Sequence, residues 1–334
     1  MESTAGRALI NRYDVVMLDL DGVVYIGGAA VPGAPEYLAQ ARGAGARLAF
    51  VTNNAARRPE TVSDHLVELG VPATPADVVT SAQAAARVLA DRLPAGSRIA
   101  TLGSDGLLAA LEAVGLVPVA VDDVSAVAIV NGYAPEVTWR QIMRAAVRIK
   151  EGLWWVATNT DLTIPTAFGT APGNGVMVEL LQGFSGVTPV VAGKPDRPLL
   201  DETIRRVGGE RPLMVGDRLD TDIAGGAHAG VDTLLVMTGV TGVADLAAAR
   251  GEERPTYVAA DLGGLVREPS EVVSAADEVT CGGWRVTIQA GALKVEGEGA
   301  VDDWWRAVAA AAWQVADSTG TVANVDALTP PTGR

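Results

Sequence analysis

The sequence predicts an α/β protein with a Rossmann-like parallel sheet core, an inserted α/β domain and a small α+β C-terminal extension. Three observations lead to this fold class. Apolar strand-like runs alternate with helical segments, as they do in βαβ units. The run 15–18 is apolar at every position, which is typical of a parallel strand covered on both faces. Polar residues directly follow several of these runs, where ligands bind in open α/β sheets.

The first part of the core is predicted over residues 1–83. We expect strands at 14–20, 47–52 and 77–79, and helices at 35–42, 59–69 and 82–92. Ser81 precedes the third of these helices, and serine is a common N-cap residue. The regular alternation of these elements predicts the beginning of a parallel sheet.

The alternation then restarts as a separate unit, which we predict to be a cap domain inserted at 84–188. Strands are expected at 98–102, 126–131 and 153–157, helices at 105–114, 136–150 and 174–183, and a loop at 159–175. The core resumes over 189–268. It contains a strand-like run at 190–192, helices at 197–207, 221–229 and 242–250, and strands at 212–216 and 232–236.

Residues 269–334 are predicted to form the C-terminal extension, with strands at 284–288 and 293–296 and a helix from Asp302 to Trp313. Fewer than about 70 residues rarely support a strong core of their own. We therefore expect the extension to pack on the rest of the protein.

Composition narrows the class of partner. The formal net charge of −14 disfavours sequence-independent binding to nucleic acid and adhesion to anionic membranes. Cys281 is the only cysteine, so no intrachain disulfide can form. No stretch approaches the roughly 20 apolar residues that span a bilayer, and residues 1–12 lack the apolar region of a signal peptide. These features predict a soluble cytoplasmic protein that acts on a small molecule, and a homodimer is the oligomer that we consider.

Two carboxylates follow the run 15–18, and a glycine comes directly after the second of them. A regular strand places Asp19 and Asp21 on the same side, and Gly22 allows the chain to turn sharply afterwards. Buried acids are costly unless they are paired or bound to metal. The pair therefore predicts a site for a cation or a reacting group, with a solvated acidic turn as the alternative.

Three further polar stretches each follow an apolar run. They are Thr52-Asn53-Asn54 after 48–51, Gly193-Lys194-Pro195 after 190–192, and Gly216-Asp217 with the acids that follow it after 213–215. Each stretch alone is ordinary loop chemistry. Four of them at successive strand ends predict a shared site.

These four motifs, DLDGV, TNN, GKP and GDRLDTD, resemble those of the haloacid dehalogenase (HAD) superfamily of phosphohydrolases. They are most similar to the NagD / p-nitrophenyl phosphatase branch, and the resemblance covers about residues 12–266. The resemblance implies a HAD-like core with the larger, α/β type of cap between the second and third motifs. Actinobacterial members of the branch include glycerol-3-phosphate phosphatases, which makes glycerol 3-phosphate the expected substrate.

The acids suit a two-step hydrolysis. Asp19 suits the nucleophile that forms an aspartyl-phosphate, and Asp21 suits a general acid and then a general base; the resemblance assigns the same two roles in the same order. Oxygen ligands without histidine or cysteine favour Mg²⁺, which we assign to Asp19, the Asp21 backbone carbonyl and Asp217. Asp222 is expected just outside the metal, where it would orient neighbours such as Lys194.

The remaining candidates are expected to bind the substrate. Lys194 offers a compact positive charge to the nucleophile and the phosphate, and Thr52 and Asn53 offer donors at a strand end before a helix. Gly22 and Asn54 belong to the same predicted phosphate site. In the cap, Asn159, Asp161 and the loop up to Gly175 are expected to set substrate specificity.

We therefore expect a Mg²⁺-dependent phosphatase of a small phosphorylated metabolite. Phosphoglycolate, pyridoxal phosphate, nucleoside monophosphates and sugar phosphates stay open beside glycerol 3-phosphate. A phosphotransferase is a second enzymatic alternative, and a ligand-sensing regulatory protein belongs to a different class. Dehalogenation is disfavoured, because that reaction has no use for Asp21 or a metal-binding Asp217.

Overall fold

The computed structural model of the protein describes residues 7–331. These residues form two compact units. The first comprises the described residues of Met1–Ala49, Leu69–Val71 and Val207–Arg334, and the second comprises Phe50–Glu68 and Pro72–Arg206.

Within the described residues, the strands have the following bounds: β1 (Val15–Leu18), β2 (Tyr25–Ile26), β3 (Ala29–Ala30), β4 (Arg47–Thr52), β5 (Val78–Thr80), β6 (Arg98–Leu102), β7 (Val117–Val119), β8 (Ala128–Asn131), β9 (Trp154–Ala157), β10 (Thr163–Thr166), β11 (Gly169–Pro172), β12 (Val190–Val191), β13 (Pro212–Gly216), β14 (Asp232–Val236), β15 (Tyr257–Ala259), β16 (Val272–Ser274), β17 (Glu278–Cys281), β18 (Trp284–Gln289) and β19 (Ala292–Gly297).

The α-helices are α1 (Ala34–Gly43), α2 (Pro59–Glu68), α3 (Ser81–Ala90), α4 (Asp105–Ala113), α5 (Trp139–Lys150), α6 (Asn174–Ser185), α7 (Pro198–Val207), α8 (Ala224–Ala229), α9 (Val243–Ala248) and α10 (Val301–Thr319). A single π-helical turn, Leu219–Ile223, leads directly into α8. Among the helices of residues 7–331, none combines the length and the apolar character that crossing a bilayer requires.

The first unit is built on parallel strands in the order β15-β14-β13-β1. All four residues of β1 are buried, as their uninterrupted apolar character predicts. Backbone hydrogen bonds continue past the end of β1, where Asp19 N–H donates to the Val215 carbonyl over 2.9 Å. The predicted α/β class with a Rossmann-like parallel sheet is confirmed.

The C-terminal extension belongs to the first unit. Its strands form an antiparallel sheet in the order β16-β17-β18-β19, and α10 packs on this sheet. Trp304 and Trp305 of α10 are buried in a hydrophobic cluster that also contains Leu235 of β14 and Val258 of β15. The extension therefore docks on the parallel sheet, as its small size predicts.

The second unit contains the end of β4, which pairs in parallel with β5, and a separate five-stranded parallel sheet. The order of the latter is β12-β9-β8-β6-β7. Trp155 of β9 and Ile129 of β8 lie in its hydrophobic cluster, with Ile149 of α5 and Leu181 of α6.

Three details of the second unit differ from the sequence-based expectation. The run 190–192, expected to return the chain to the core, contains β12, which pairs with β9 of the five-stranded sheet. The expected loop 159–175 contains the antiparallel hairpin β10–β11. The N-cap of α3 is Thr80 rather than Ser81, because the Ser81 hydroxyl donates to the Asn53 carbonyl over 2.5 Å.

The predicted domain division at 84–188, with core segments 1–83 and 189–268 and an extension at 269–334, stays a prediction. The two compact units divide at other positions, within β4 and at the end of α7. Residues 1–6 and 332–334 of the predicted segments lie outside the described residues.

Candidate active site

Three carboxylates of the first unit converge at the carboxyl ends of adjacent strands. Asp19 follows β1, Asp217 follows β13, and Asp222 lies in the π-helical turn. Each contributes one oxygen to a set whose members all lie within 4.8 Å of one another. Asp217 and Asp222 are each 1% exposed, whereas Asp19 is half-buried. Because β1 and β13 are parallel neighbours, their carboxyl ends meet at one edge, and the two acids that follow them meet there too.

The position of Asp217 depends on a segment that follows β14. The Val240 N–H donates to Asp217 Oδ2 over 2.7 Å, and the Thr241 hydroxyl donates to the Asp217 carbonyl over 2.5 Å. A Cβ atom on Gly239 would lie 1.9 Å from Asp217 Oδ2, and one on Gly22 would lie 2.5 Å from it. The carboxylate is thus held between two glycines that no larger residue can replace without moving it.

The segment 238–241 is not among the residues predicted for the site. A signal for it is present in the sequence, because a Thr-Gly-Val-Thr-Gly stretch follows the predicted strand 232–236 after a single residue, Met237. Applying the strand-end rule to that strand as well identifies these residues as a further part of the edge.

Asp222 lies closer to the centre of the site than predicted. Its Oδ2 accepts a hydrogen bond from the Arg218 N–H over 3.1 Å, within the π-helical turn. A Cβ on Gly216 would lie 2.1 Å from the Asp222 Cβ, so the end of β13 and the turn approach each other closely. The sequence places Asp222 outside the metal, whereas the structure places one of its oxygens in the same set as those of Asp19 and Asp217.

Asp21 is not a member of this set and is exposed. It lies in a turn in which Gly22 N–H donates to the Tyr25 carbonyl over 2.8 Å and the Thr238 hydroxyl donates to the Gly22 carbonyl over 2.5 Å. Gly22 has φ +85°, a left-handed conformation that favours glycine. Its visible role is to turn the chain beside Asp217, and substrate binding by Gly22 stays a prediction.

The acidic cluster, Asp19 with Asp217 and Asp222, fits a hard cation. Two carboxylates 4.8 Å apart repel by about 3.5 kcal/mol at an effective dielectric constant of 20, and the cluster contains three such pairs. Mg²⁺ prefers oxygen ligands at about 2.1 Å, so its ligands lie at most about 4.2 Å apart. The donor set offers only oxygen, and its separations within 4.8 Å suit such a cation.

In the second unit, the TNN motif forms the turn that follows β4. Thr52 is 6% exposed, and its hydroxyl oxygen accepts a hydrogen bond from the Asn54 N–H over 3.1 Å. Asn54 Oδ1 accepts from the N–H groups of Ala56 and Arg57 over 2.9 and 3.1 Å. The Asn54 side chain therefore shapes the approach to α2, and its predicted contact with substrate stays a prediction.

Asn53 and Lys194 bind each other. The Asn53 side chain accepts from the Lys194 N–H over 2.8 Å and donates to the Lys194 carbonyl over 3.1 Å. Its amide also donates to Asp161 Oδ1 over 3.1 Å. Lys194 is 2% exposed, and its Nζ lies 3.5 Å from the Val51 carbonyl oxygen to which it donates. The two N–H bonds of the Asn53 side-chain amide are engaged here, so this side chain helps to position Lys194, and the binding of phosphate by Asn53 stays a prediction.

The two cap residues predicted to set specificity differ in exposure. Asn159 is 4% exposed, and its amide donates to the Asn53 carbonyl over 2.7 Å. Its Oδ1 accepts from the Asp161 N–H over 3.2 Å. Asp161 is half-buried and accepts from Asn53 as described. Asn159 is thus placed as a support of the TNN turn, and direct contact of either residue with substrate stays a prediction.

Comparison with known families and proteins gives consistent matches. A family described as haloacid dehalogenase-like hydrolase matches residues 16–117, and a second, described as HAD-hydrolase-like, matches residues 191–265. The chain is 40% identical over 317 residues to a D-glycerol 3-phosphate phosphatase of Mycobacterium tuberculosis, which covers 92% of this chain and 88% of that protein.

Solved structures and a further relative agree. The crystal structure of a glycerol phosphate phosphatase from M. tuberculosis in complex with magnesium superposes with a TM-score of 0.84 at 40% identity, covering 92% of each chain. A thermostable NPPase double mutant from Geobacillus stearothermophilus matches at 34% identity and a TM-score of 0.68, over 75% of this chain and 96% of that one. An acid sugar phosphatase of Staphylococcus saprophyticus is 33% identical over 78% of this chain and 99% of its own.

Proposed function

This chain belongs to the haloacid dehalogenase-like hydrolases, as its motifs predict, and on that premise we propose that it is a Mg²⁺-dependent phosphatase that hydrolyses glycerol 3-phosphate to glycerol and phosphate. One observation carries the choice of substrate. The chain is 40% identical to a D-glycerol 3-phosphate phosphatase over 92% of its own length and 88% of that protein, whereas the acid sugar phosphatase matches only 78% of this chain.

The acidic cluster supports the metal part of the proposal. Asp19, Asp217 and Asp222 would hold Mg²⁺, together with the Asp21 backbone carbonyl. When bound, the ion supplies positive charge between the carboxylates and the phosphate dianion, which would otherwise repel each other. Asp222 is thereby reassigned from orienting Lys194 to contributing a ligand oxygen.

The reaction proceeds in two displacements at phosphorus. An oxygen of Asp19 attacks the phosphorus, the bond from phosphorus to the glycerol oxygen breaks, and Asp21 protonates the departing alkoxide. Asp21 then removes a proton from water, whose oxygen attacks the phosphorus and releases phosphate from Asp19. The proposal assigns Lys194 and Thr52 to balancing and binding the charge of the phosphoryl group, which is the main catalytic requirement of a loose transition state.

The nucleophile is tested by Asp19→Asn. An amide cannot form the phosphoenzyme, so we expect turnover to fall by about 10⁴-fold or more, with the folded structure retained as measured by circular dichroism. Asp220→Asn is the matched control, because Asp220 lies two residues from Asp222 but is exposed and paired with Arg218. Phosphate release by Asp19→Asn within tenfold of wild type would remove Asp19 from this role.

Sugar phosphates are the second candidate substrates, because an acid sugar phosphatase is 33% identical to this chain. The test is Mg²⁺-dependent release of inorganic phosphate from a panel containing glycerol 3-phosphate, sugar phosphates, phosphoglycolate, pyridoxal phosphate and nucleoside monophosphates. The highest kcat/KM should belong to glycerol 3-phosphate. Release of phosphate without an added alcohol would exclude an obligatory phosphotransferase, and an absence of any turnover would favour a regulatory protein.

A homodimer is part of the proposal, and its support is an apolar face on the second unit. Adjoining helices α5 and α6 each expose three apolar side chains at intervals of four residues. They are Trp139, Met143 and Val147 on α5 and Val176, Leu180 and Phe184 on α6. Clustered apolar exposure of this kind marks interaction surfaces. We expect Met143→Glu to lower the mass measured by light scattering, and Val67→Glu, at an exposed position on α2, to leave it unchanged. A cytoplasmic location stays a prediction.

A further inference from the structure

A continuous series of side-chain amides crosses the second unit. Trp155 Nε1 donates to Asn131 Oδ1 over 2.7 Å, and Asn131 Nδ2 donates to Asn174 Oδ1 over 2.9 Å. Asn131 is fully buried at the end of β8, and Asn174 is 3% exposed at the start of α6. Two buried amides are therefore joined directly, on elements that also contribute to the hydrophobic cluster of the five-stranded sheet.

The series continues to the residue that the proposed reaction uses. Asn174 Nδ2 donates to the Asn159 carbonyl over 2.6 Å, and Asn159 Nδ2 donates to the Asn53 carbonyl over 2.7 Å. Asn53 then holds both backbone groups of Lys194, as described above. We call this series, Trp155-Asn131-Asn174-Asn159-Asn53, the amide relay.

The direction of every hydrogen bond in the amide relay is determined by Trp155 at one end and by the backbone carbonyls of Asn159 and Asn53 further along. An indole N–H can only donate, so the oxygen of Asn131 must face Trp155 and its NH₂ group must face Asn174. The same reasoning places the oxygen of Asn174 toward Asn131 and its NH₂ group toward the Asn159 carbonyl. The three hydrogen bonds from Trp155 to the Asn159 carbonyl run in one direction, and such bonds polarise and strengthen one another. From the Asn159 carbonyl the amide relay continues through the covalent structure of residue 159 and its side-chain amide to Asn53.

Burying the amides of the relay costs free energy, which indicates that they do more than fill space. A buried amide costs free energy that its hydrogen bonds only offset, and an apolar side chain of equal volume would pack there without that cost. The buried amides connect β8 of the five-stranded sheet to the backbone of Lys194. The buried ammonium of Lys194 has to be placed accurately to be useful, because a displacement of about 1 Å in a charged group can cost about a hundredfold in rate.

We propose that Asn131 and Asn174 are positioning residues that act through the amide relay to hold Lys194 at the phosphoryl group. The inference rests on the proposed phosphatase function. It assigns to two residues of the inserted sheet a role in the chemistry, although neither touches the substrate in this account. Their effect must then pass through Lys194 and disappear when Lys194 is removed.

The experiment is a double-mutant cycle between Asn131→Leu and Lys194→Met in the Mg²⁺-loaded enzyme. Leucine has the same branched arrangement of heavy atoms as asparagine but neither donates nor accepts hydrogen bonds, so it interrupts the amide relay. In the wild-type background we expect kcat to fall about ten- to a hundredfold with little change in KM. In the Lys194→Met background the same substitution should change kcat by no more than about twofold. The dissociation constant of inorganic phosphate, measured by titration calorimetry, repeats the cycle without requiring turnover.

Thr203→Val is the matched control. Thr203 is also fully buried in the second unit, and its hydroxyl donates to the Leu199 carbonyl over 2.7 Å, remote from the amide relay. It should lower the melting temperature as Asn131→Leu does but leave kcat unchanged. Should Asn131→Leu fail to fold, Trp155→Phe removes only the first donor and carries the same cycle.

The inference is overturned if Asn131→Leu, or Trp155→Phe in its place, lowers kcat and phosphate affinity by the same factor in both backgrounds. It is equally overturned if the effect does not exceed that of Thr203→Val. Failure of the proposed function looks different, because the wild-type enzyme would then release no phosphate from any ester of the panel.

Discussion

Asp222→Asn separates charge from shape at the acidic cluster. Asparagine is nearly isosteric with aspartate, and its carbonyl oxygen can still accept the hydrogen bond that Arg218 N–H donates over 3.1 Å. The substitution removes one negative charge from within 4.8 Å of two others. We therefore expect the variant to be more stable than wild type without metal, and to gain less stability when Mg²⁺ is added.

The gain in stability expected for Asp222→Asn without metal has an upper limit. Two pairs at 4.8 Å, each repelling by about 3.5 kcal/mol at an effective dielectric constant of 20, amount to about 7 kcal/mol. Solvent reaches the half-buried Asp19 and screens its charge, so we expect about half of this repulsion, about 3.5 kcal/mol, to appear as stability. At about 2–4 °C per kcal/mol, the melting temperature without metal rises by no more than about 15 °C.

The metal response gives the second half of the prediction. Mg²⁺ at a hundred times its dissociation constant stabilises the folded protein by about 2.7 kcal/mol, and tenfold weaker binding at the same concentration reduces this to about 1.4 kcal/mol. Thermal unfolding in EDTA and across a MgCl₂ series measures both effects. Asp220→Asn, which removes an exposed charge, should leave the metal response as in wild type. A variant Asp222→Asn that is less stable in EDTA and responds to Mg²⁺ like wild type would refute the reasoning.

Three further predictions concern other parts of the first and second units. Gly239→Ala should lower kcat/KM at least about tenfold in phosphate-release assays, because its Cβ would lie 1.9 Å from Asp217 Oδ2; an unchanged value would show that the carboxylate can move without loss. Burial raises the pKa of Glu202, but hydrogen bonds and charge from the two arginines beside it outweigh burial and lower the pKa. The stability that Glu202 contributes is therefore present above about pH 4.3 and is lost as the pH falls through its folded pKa. Urea unfolding should accordingly find Glu202→Gln about 1–3 kcal/mol less stable than wild type at pH 7. This difference in unfolding free energy should become smaller in acid, and a larger difference in acid would contradict the prediction. Burial, with a smaller effect of Asp303, raises the pKa of the Cys281 thiol to about 12. Ellman's reagent should therefore react slowly with the native protein at pH 8 and fully after denaturation. Rapid labelling of the native protein would contradict the burial of this thiol.

Much of the secondary structure follows from local patterns. The strands predicted at 47–52, 98–102, 212–216 and 232–236 have the observed bounds of β4, β6, β13 and β14. Their apolar runs reflect burial on both faces, which is a local property of the chain. Short or exposed elements escape this reasoning. β12 has only two residues, and the hairpin β10–β11 is largely exposed, so neither leaves an apolar pattern.

The acidic residues of the candidate site were predictable from the sequence, whereas the residues that position them were less so. Asp19 and Asp217 follow buried runs, and the strand-end rule finds them without a structure. The sequence favours solvent exposure for Asp220 and a place just outside the metal for Asp222, but the rule does not put Asp222 in the cluster, since both acids lie in the same acidic stretch. The π-helical turn turns one toward the cluster and leaves the other at the surface, paired with Arg218.

The amino-acid sequence by itself determined the fold class, the order of the strands along the chain and the strand ends at which acids, amides and a lysine occur. These are consequences of hydrophobic periodicity and local turn chemistry, which act over a few residues. Only the tertiary structure decided which carboxylates converge, which glycines confine Asp217 and which buried amides reach Lys194. Most of those relations join residues between 15 and 203 positions apart in the sequence, and their distances depend on how whole elements pack, which no local pattern encodes.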